Sequence, residues 1–180
     1  MNQSPNSEHA TPRVTRRQAL AVSGLVAAAG AAGISLRVAS WWDAPVGAPL
    51  HSLSAREAQL IDSMAEALFP AGGHPALSGA DAGISHFLDG VIDAMPQGIA
   101  RLLRLFINAL DDTARLTRRS GYCELPLAER AELLSSWGQS PHYLFRSSVS
   151  SLVLFLSMGY CMHPEVKDAC GWIFPCGYGA

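Results

Sequence analysis

The run Ser54-Ala55-Arg56-Glu57-Ala58-Gln59-Leu60-Ile61-Asp62-Ser63-Met64-Ala65-Glu66-Ala67-Leu68 decides what kind of fold this chain can make. Ser54 followed by Glu57 is a capping box. The serine oxygen accepts from the Glu57 amide, and the glutamate accepts from the Ser54 amide. Behind the cap, Leu60, Ile61, Met64, Ala65 and Leu68 recur at helical spacing, with Arg56, Asp62 and Glu66 on the opposite side. Phe69-Pro70-Ala71-Gly72-Gly73-His74-Pro75 stops the helix, since proline lacks the amide and glycine favours the chain reversal.

Downstream the same period returns. Asp81 reads as the next cap, and Ile84, Phe87, Leu88, Val91, Ile92 and Met95 form an apolar stripe that stops at Pro96. Ile99, Leu102, Leu103, Phe106, Ile107 and Leu110 make a third, longer helix, with Pro96 suited to its first position. It fades through Arg115, Arg118 and Arg119 to Gly121, and those cations complement the negative end of the helix. Leu127 to Trp137 is a fourth helix with Ala131 and Leu134 inward. A fifth starts at Ser140-Pro141 and carries Phe145, Val149, Leu152, Val153, Leu156 and Tyr160 on one face. Leu154, Phe155 and Met158 extend its apolar surface around the rest, so it is central to the core or covered by a partner. Counted from Val149 to Met162, it is too short to cross a bilayer. His163-Pro164-Glu165 opens a final turn, and Gly171-Trp172-Ile173-Phe174-Pro175 is an irregular aromatic tail. No alternating strand and no internal repeat occurs. The prediction is an all-α small bundle of about five helices.

Upstream, residues 1–14 are polar. Thr15-Arg16-Arg17-Gln18-Ala19-Leu20 then sets paired arginines ahead of an uncharged, Ala/Gly-rich run from Ala19 to Leu36. A basic flank, a mildly apolar core and small residues beyond it make a twin-arginine signal. Ala19 departs from the bulkier residue common there. Cleavage is expected after Val38-Ala39-Ser40, which gives a signal over 1–40, a Pro/Gly linker over 41–53 and a helical domain over 54–180.

The 180 residues carry 13 Lys and Arg against 15 Asp and Glu, a net charge of −2. Removing the signal with Arg13, Arg16, Arg17, Arg37 and Glu8 leaves 9 cations against 14 carboxylates, near −5. Lys167 is the only lysine and there is no basic stripe, so nucleic acid is excluded as a partner. Four cysteines, Cys123, Cys161, Cys170 and Cys176, are candidates for disulfides outside the cytoplasm, with three connectivities open. Three of them fall in the last 20 residues, so the tail is expected to be stapled to itself or to the helix before it.

Chemistry is harder to find. His9, His51, His74, His86, His142 and His163 are scattered, and none pairs at helical metal-ligand spacing. The spacings among Cys161, Cys170 and Cys176 match no compact ligand motif. Asp111-Asp112 and Asp89/Asp93 read as solvated helix faces rather than an acid–base pair. Gly72-Gly73 and Gly177-Tyr178-Gly179 precede no helix that could cradle a phosphate. No catalytic, cofactor-binding or metal residue is expected in this chain.

One resemblance is specific enough to name. Leu53-Ser54-Ala55-Arg56-Glu57, the helix from Leu60 to Pro70, Ala82-Gly83-Ile84 with His86-Phe87-Leu88-Asp89, and Gly159-Tyr160 with His163-Pro164-Glu165-Val166 and Gly171-Trp172 resemble the gluconate 2-dehydrogenase subunit 3 family. The likeness runs from Leu53 to Trp172 and rests on packing patterns, and the cysteine-rich ending departs from it. It implies a small accessory subunit with no cofactor of its own. The implied partner is a large FAD-dependent dehydrogenase of the glucose–methanol–choline type acting on CH–OH donors, often completed by a cytochrome c subunit carrying haem. The small subunit would stabilise the flavoprotein and take it, folded, through the twin-arginine translocon to the periplasm, at the outer face of the inner membrane.

The partner contacts would lie on Leu154, Phe155, Met158, Trp172 and Phe174, with Cys123 free to bridge to the partner. Two alternatives follow from the residues themselves. One is a free-standing exported enzyme or metal-binding bundle that uses His142, His163 and the cysteines. The other is an interaction module anchored by an uncleaved Ala19–Leu36 segment.

Overall fold

A computed structural model describes Arg37, Ser40, Trp41 and residues 44–171. The signal arginines Arg16 and Arg17, Val38 and Ala39 of the expected cleavage site, and the tail residues Trp172, Phe174 and Cys176 lie outside the described residues. The chain divides after Ser40, and the following description concerns the part from Trp41 onward.

That part is all-helical, with six α-helices and one 3-10 turn among the described residues and no strand. The order is α1 (Ala55–Leu68), α2 (Ile84–Asp93), α3 (Gln97–Arg118), the 3-10 turn (Tyr122–Glu124), α4 (Leu127–Gly138), α5 (Tyr143–Met162) and α6 (Pro164–Ala169). The final turn expected at His163 is a sixth helix, short because Pro164 starts it and Gly171, at φ 62°, follows its end.

α1 is the hub, packed against α2, α3, α4 and the 3-10 turn. Its capping box forms as the sequence requires, with the Ser54 amide 2.8 Å from Glu57 Oε2 and the Glu57 amide 3.3 Å from Ser54 Oγ. Leu60, Ile61, Met64 and Ala65 are buried, and Leu68 is half-buried at the edge of the core. The charged residues of α1 tie it to its neighbours. Buried Glu57 accepts from Arg104 Nη2 at 3.0 Å and from Asn108 Nδ2 at 2.8 Å, both on α3. Arg56 returns the contact by donating to Asp111 of α3. Glu66 pairs with Arg130 of α4 at 2.9 Å.

α2 does not begin at the cap expected. Asp81 closes a turn with Ser78, whose hydroxyl donates to it at 2.6 Å, and Gly83 at φ 65° occupies the N-cap instead. The cap is supplied across helices. Asp62 of α1 accepts from the Ser85 amide at 3.2 Å and from the Ser85 hydroxyl at 3.0 Å, placing a carboxylate at the positive end of α2. Burial nonetheless pushes the Asp62 carboxyl up, and the Ser85 bonds only partly offset this.

Two glycines mark close approaches. A Cβ at Gly79 would stand within 2.1 Å of the Ala65 carbonyl oxygen, so the loop between α1 and α2 lies directly on α1. A Cβ at Gly159 would stand 2.8 Å from the Phe87 ring, where α5 crosses α2.

α3 departs from its predicted stripe. Ile107, Leu110 and Ala114 are buried and Leu103 and Phe106 pack against the core, but Ile99 and Leu102 are 55% and 66% exposed. Its inward face is completed by Asn108 and Asp111, which the apolar periodicity cannot register. α4 buries Leu133, Leu134 and Trp137, while Ala131 stays half-exposed. Trp137 stacks on buried Tyr122 at 5.6 Å, and the Tyr122 hydroxyl donates to the Arg130 carbonyl at 3.1 Å.

Candidate interaction surface

α5 has a buried side built from Val149, Leu152, Leu156, Gly159 and Tyr160. The Tyr160 ring stacks on Phe69 at 4.1 Å and its hydroxyl donates to the Leu77 carbonyl at 2.7 Å, fixing the C-terminal half of α5 against the α1–α2 loop. With this side fixed by packing, helical spacing sends Leu154, Met158 and Met162 outward, and they are 60%, 48% and 56% exposed. Phe155 is different. It packs partly buried against the core, so of the expected outward trio it contributes least to the surface.

The outward side is unusual in its chemistry. No Asp, Glu, Lys, Arg or His occurs from Ser147 to Met162. Its serines use their hydroxyls internally: Ser148 donates to the Leu144 carbonyl at 2.9 Å, Ser150 to Arg146 at 2.9 Å, Ser151 to Ser147 at 3.0 Å and Ser157 to Val153 at 2.8 Å. Such back-bonding leaves a surface with little demand for water. The expectation that this helix is too short to cross a bilayer counted only Val149 to Met162. Tyr143 to Met162 is 20 residues, long and apolar enough by those two measures to cross a membrane, although one side of it belongs to the core.

Beside α5 lies an apolar groove of about 410 Å³. Small residues line it, Ala67 of α1, Ala131 and Gly138 of α4 and Ser150 of α5, together with Leu134 and Val153.

The thiols are not joined to one another. Cys123, Cys161 and Cys170 are free, so no disulfide links the described cysteines. Cys170 is exposed, Cys161 half-buried. Cys123 lies at a second cavity of about 210 Å³ with Arg56, Gln59, Asp111 and Arg115. Burial pushes its thiol up, against a hydrogen bond with the Ser63 side chain, which leaves it a poor nucleophile at neutral pH.

The other candidates part company. His142 and His163 flank the two ends of α5, and 20 residues at 1.5 Å each put them about 30 Å apart along the helix, too far to share a metal ion. Among the described residues no three His, Cys, Asp or Glu side chains gather as a metal site.

Asp89 and Asp111 correct the expectation of solvated carboxylates, since each is 2% exposed. Asp89 accepts the amides of His51, Ser52 and Leu53 at 2.8, 2.9 and 2.8 Å, tying α2 to the chain just before α1. Burial raises its carboxyl, but those three amides outweigh it and hold the group below the usual carboxylate range. Asp111 accepts from the Tyr122 amide at 2.8 Å, from Arg115 Nε at 3.1 Å and from Arg56. There too the donors overcome burial and the carboxyl is lowered. Both carboxylates are structural. A sequence signal was available only in part, since Asp89 belongs to the His86-Phe87-Leu88-Asp89 motif.

The chain matches no family model, and no curated protein or solved structure matches it either.

Proposed function

We propose that this chain is a non-catalytic small subunit of an exported, FAD-dependent dehydrogenase of the glucose–methanol–choline type, acting on CH–OH donors. It stabilises the flavoprotein subunit and guides it, folded, through the twin-arginine route to the periplasm. FAD belongs to the partner, and haem c to a third, cytochrome subunit. The reading rests on the motifs between Leu53 and Trp172, on the paired Arg16 and Arg17, and above all on one structural observation. The outward side of α5 is apolar, uncharged and self-satisfied in its hydrogen bonds over Leu154, Met158 and Met162.

A surface of that kind gains from being covered. Leu154, Met158 and Met162 are each about half exposed, so covering all three is worth about 3 kcal/mol. Methionine adapts to an irregular partner surface.

The test is isolation of the tagged full chain from its native cells. A co-purifying large subunit with the absorbance of bound FAD is the expected result. Leu154→Lys combined with Met158→Lys should abolish that association while leaving the helical circular dichroism unchanged. Purification of the wild-type chain alone, as a stable monomer without a flavoprotein, would refute the proposal.

A further inference from the structure

Ten large apolar side chains stand exposed among the described residues, and eight of them lie on α3 and α5. Four of the eight gather at one corner, away from the Leu154–Met162 end of α5. From Gln97 to Phe106, α3 has no fully buried residue, and there Ile99 and Leu102 are exposed. Phe106, one turn beyond Leu102, meets Phe145 of α5 edge-on with ring centroids 6.1 Å apart. That contact joins the two helices one turn after Leu102 and directly after Tyr143 and Leu144, which are 68% and 79% exposed.

The charge at this corner is opposite to that of the chain. No Asp or Glu occurs between Ala94 and Leu110 or between Leu133 and Pro164, although the net charge is −2. Glu57, the carboxylate that Arg104 of this stretch engages, is buried and also accepts from Asn108. Arg146 lies over the Tyr143 ring at 5.8 Å, and Arg101 and His142 are exposed at the same ends of their helices.

We propose that this corner, Ile99, Leu102, Tyr143 and Leu144 with Arg101 and Arg146, docks on an anionic phospholipid bilayer. Helix turns carrying Leu, Ile and Phe with arginines beside them are suited to lie at the headgroup boundary. Tyrosine favours the same depth, its ring apolar and its hydroxyl wet. With no Asp or Glu in either stretch, neither helix start brings a carboxylate of its own to the anionic surface. Neither cavity described above includes these four residues, so the corner offers a broad contact rather than a slot for a single side chain. Docking here does not depend on the dehydrogenase partner, which would use the other end of α5.

The test is co-sedimentation of the full chain with phosphatidylglycerol-containing vesicles and with pure phosphatidylcholine vesicles. Binding should favour the anionic vesicles and weaken as ionic strength rises. Leu102→Glu and Leu144→Glu should each lower partitioning by about tenfold or more. Both positions are exposed, so circular dichroism should not change. Leu116→Glu, 84% exposed at the far end of α3, is the control and should bind as wild type does. Three results would overturn the proposal: no vesicle binding, equal binding to both vesicle types, or unchanged binding by the Leu102→Glu, Leu144→Glu double variant. The last would move the membrane contact to another segment, such as residues 19–36.

Discussion

Asp89→Ala should be among the most destabilising single changes in this protein. Asp89 is buried, and its two oxygens accept three consecutive amides from the strap that leads into α1, at 2.8–2.9 Å. Alanine leaves all three without an acceptor. The Leu53 amide is fully buried, and stranding it costs about 2–3 kcal/mol. The His51 and Ser52 amides are part-buried and can recover water, so each loses about 0.5–1 kcal/mol. The total is about 3–5 kcal/mol, which should lower the urea midpoint with no change in slope. Asp89→Asn keeps the volume and one acceptor oxygen but turns an NH2 group toward a donor, and about 2 kcal/mol is expected.

The pH dependence separates the charge from the shape. The folded carboxyl lies below the unfolded value, so its contribution is complete above about pH 4 and is lost as the pH falls through the folded value. The stability gap between wild type and Asp89→Asn should therefore close in acid. An Asp89→Ala loss below about 1 kcal/mol, or an Asp89→Asn gap that does not shrink in acid, would refute the role given to this carboxylate.

Other changes test the remaining joints. Glu57→Gln should cost about 2–4 kcal/mol, since Arg104 loses its buried charge partner and one acceptor oxygen becomes an NH2 group facing donors, and the loss should be smaller in an Arg104→Leu background by double-mutant cycle. Gly159→Val should cost about 1–3 kcal/mol in thermal unfolding, because side-chain atoms there collide with Phe87 and Ile84 where α5 crosses α2. Tyr160→Phe keeps the stack on Phe69 and removes only the bond to the Leu77 carbonyl, so about 0.5–1.5 kcal/mol should be lost by chemical denaturation.

The all-α fold was legible because its apolar positions repeat at the helical period. Leu60, Ile61 and Met64, Ile84, Leu88 and Ile92, and Val149, Leu152 and Leu156 are all buried as their spacing requires. What periodicity missed was polar and non-local. Asp89 and Asp111 looked like surface residues because the groups that engage them, the amides of residues 51–53 and of Tyr122, stand 36–38 and 11 positions away. Asp81 looked like a cap because the true capping carboxylate, Asp62, belongs to another helix. Ile99 and Leu102 fit the apolar stripe, yet among the described residues they remain exposed, and only Ala100 and Leu103 of these turns pack on the core. The outward side of α5 was partly legible, since an excess of apolar residues around a helix must be covered by something. Which residues face out depended on Gly159 and Tyr160, whose close packing sets the rotation of the helix.

The distribution of these joints bears on where the protein can meet other molecules. α1 spends its polar side chains inward: Glu57 and Arg56 on α3, Asp62 on α2 and Glu66 on α4. α2 commits Asp89 to the strap before α1. These helices hold the bundle together and leave little apolar surface unspent. α3 and α5 differ, because each is longer than the core it covers: α3 runs 22 residues and α5 20, against 14 for α1 and 10 for α2. Helical rise alone makes the two long helices about 30 Å, while α1, on which α3 packs, is about 20 Å and α2, on which α5 packs, is about 15 Å. They must overhang, and their overhanging turns are where Ile99, Leu102, Tyr143 and Leu144 are found. An apolar overhang with no acid on it is a cost to a chain that stands alone, so the length of α3 and α5 is itself a reason to expect external contacts there.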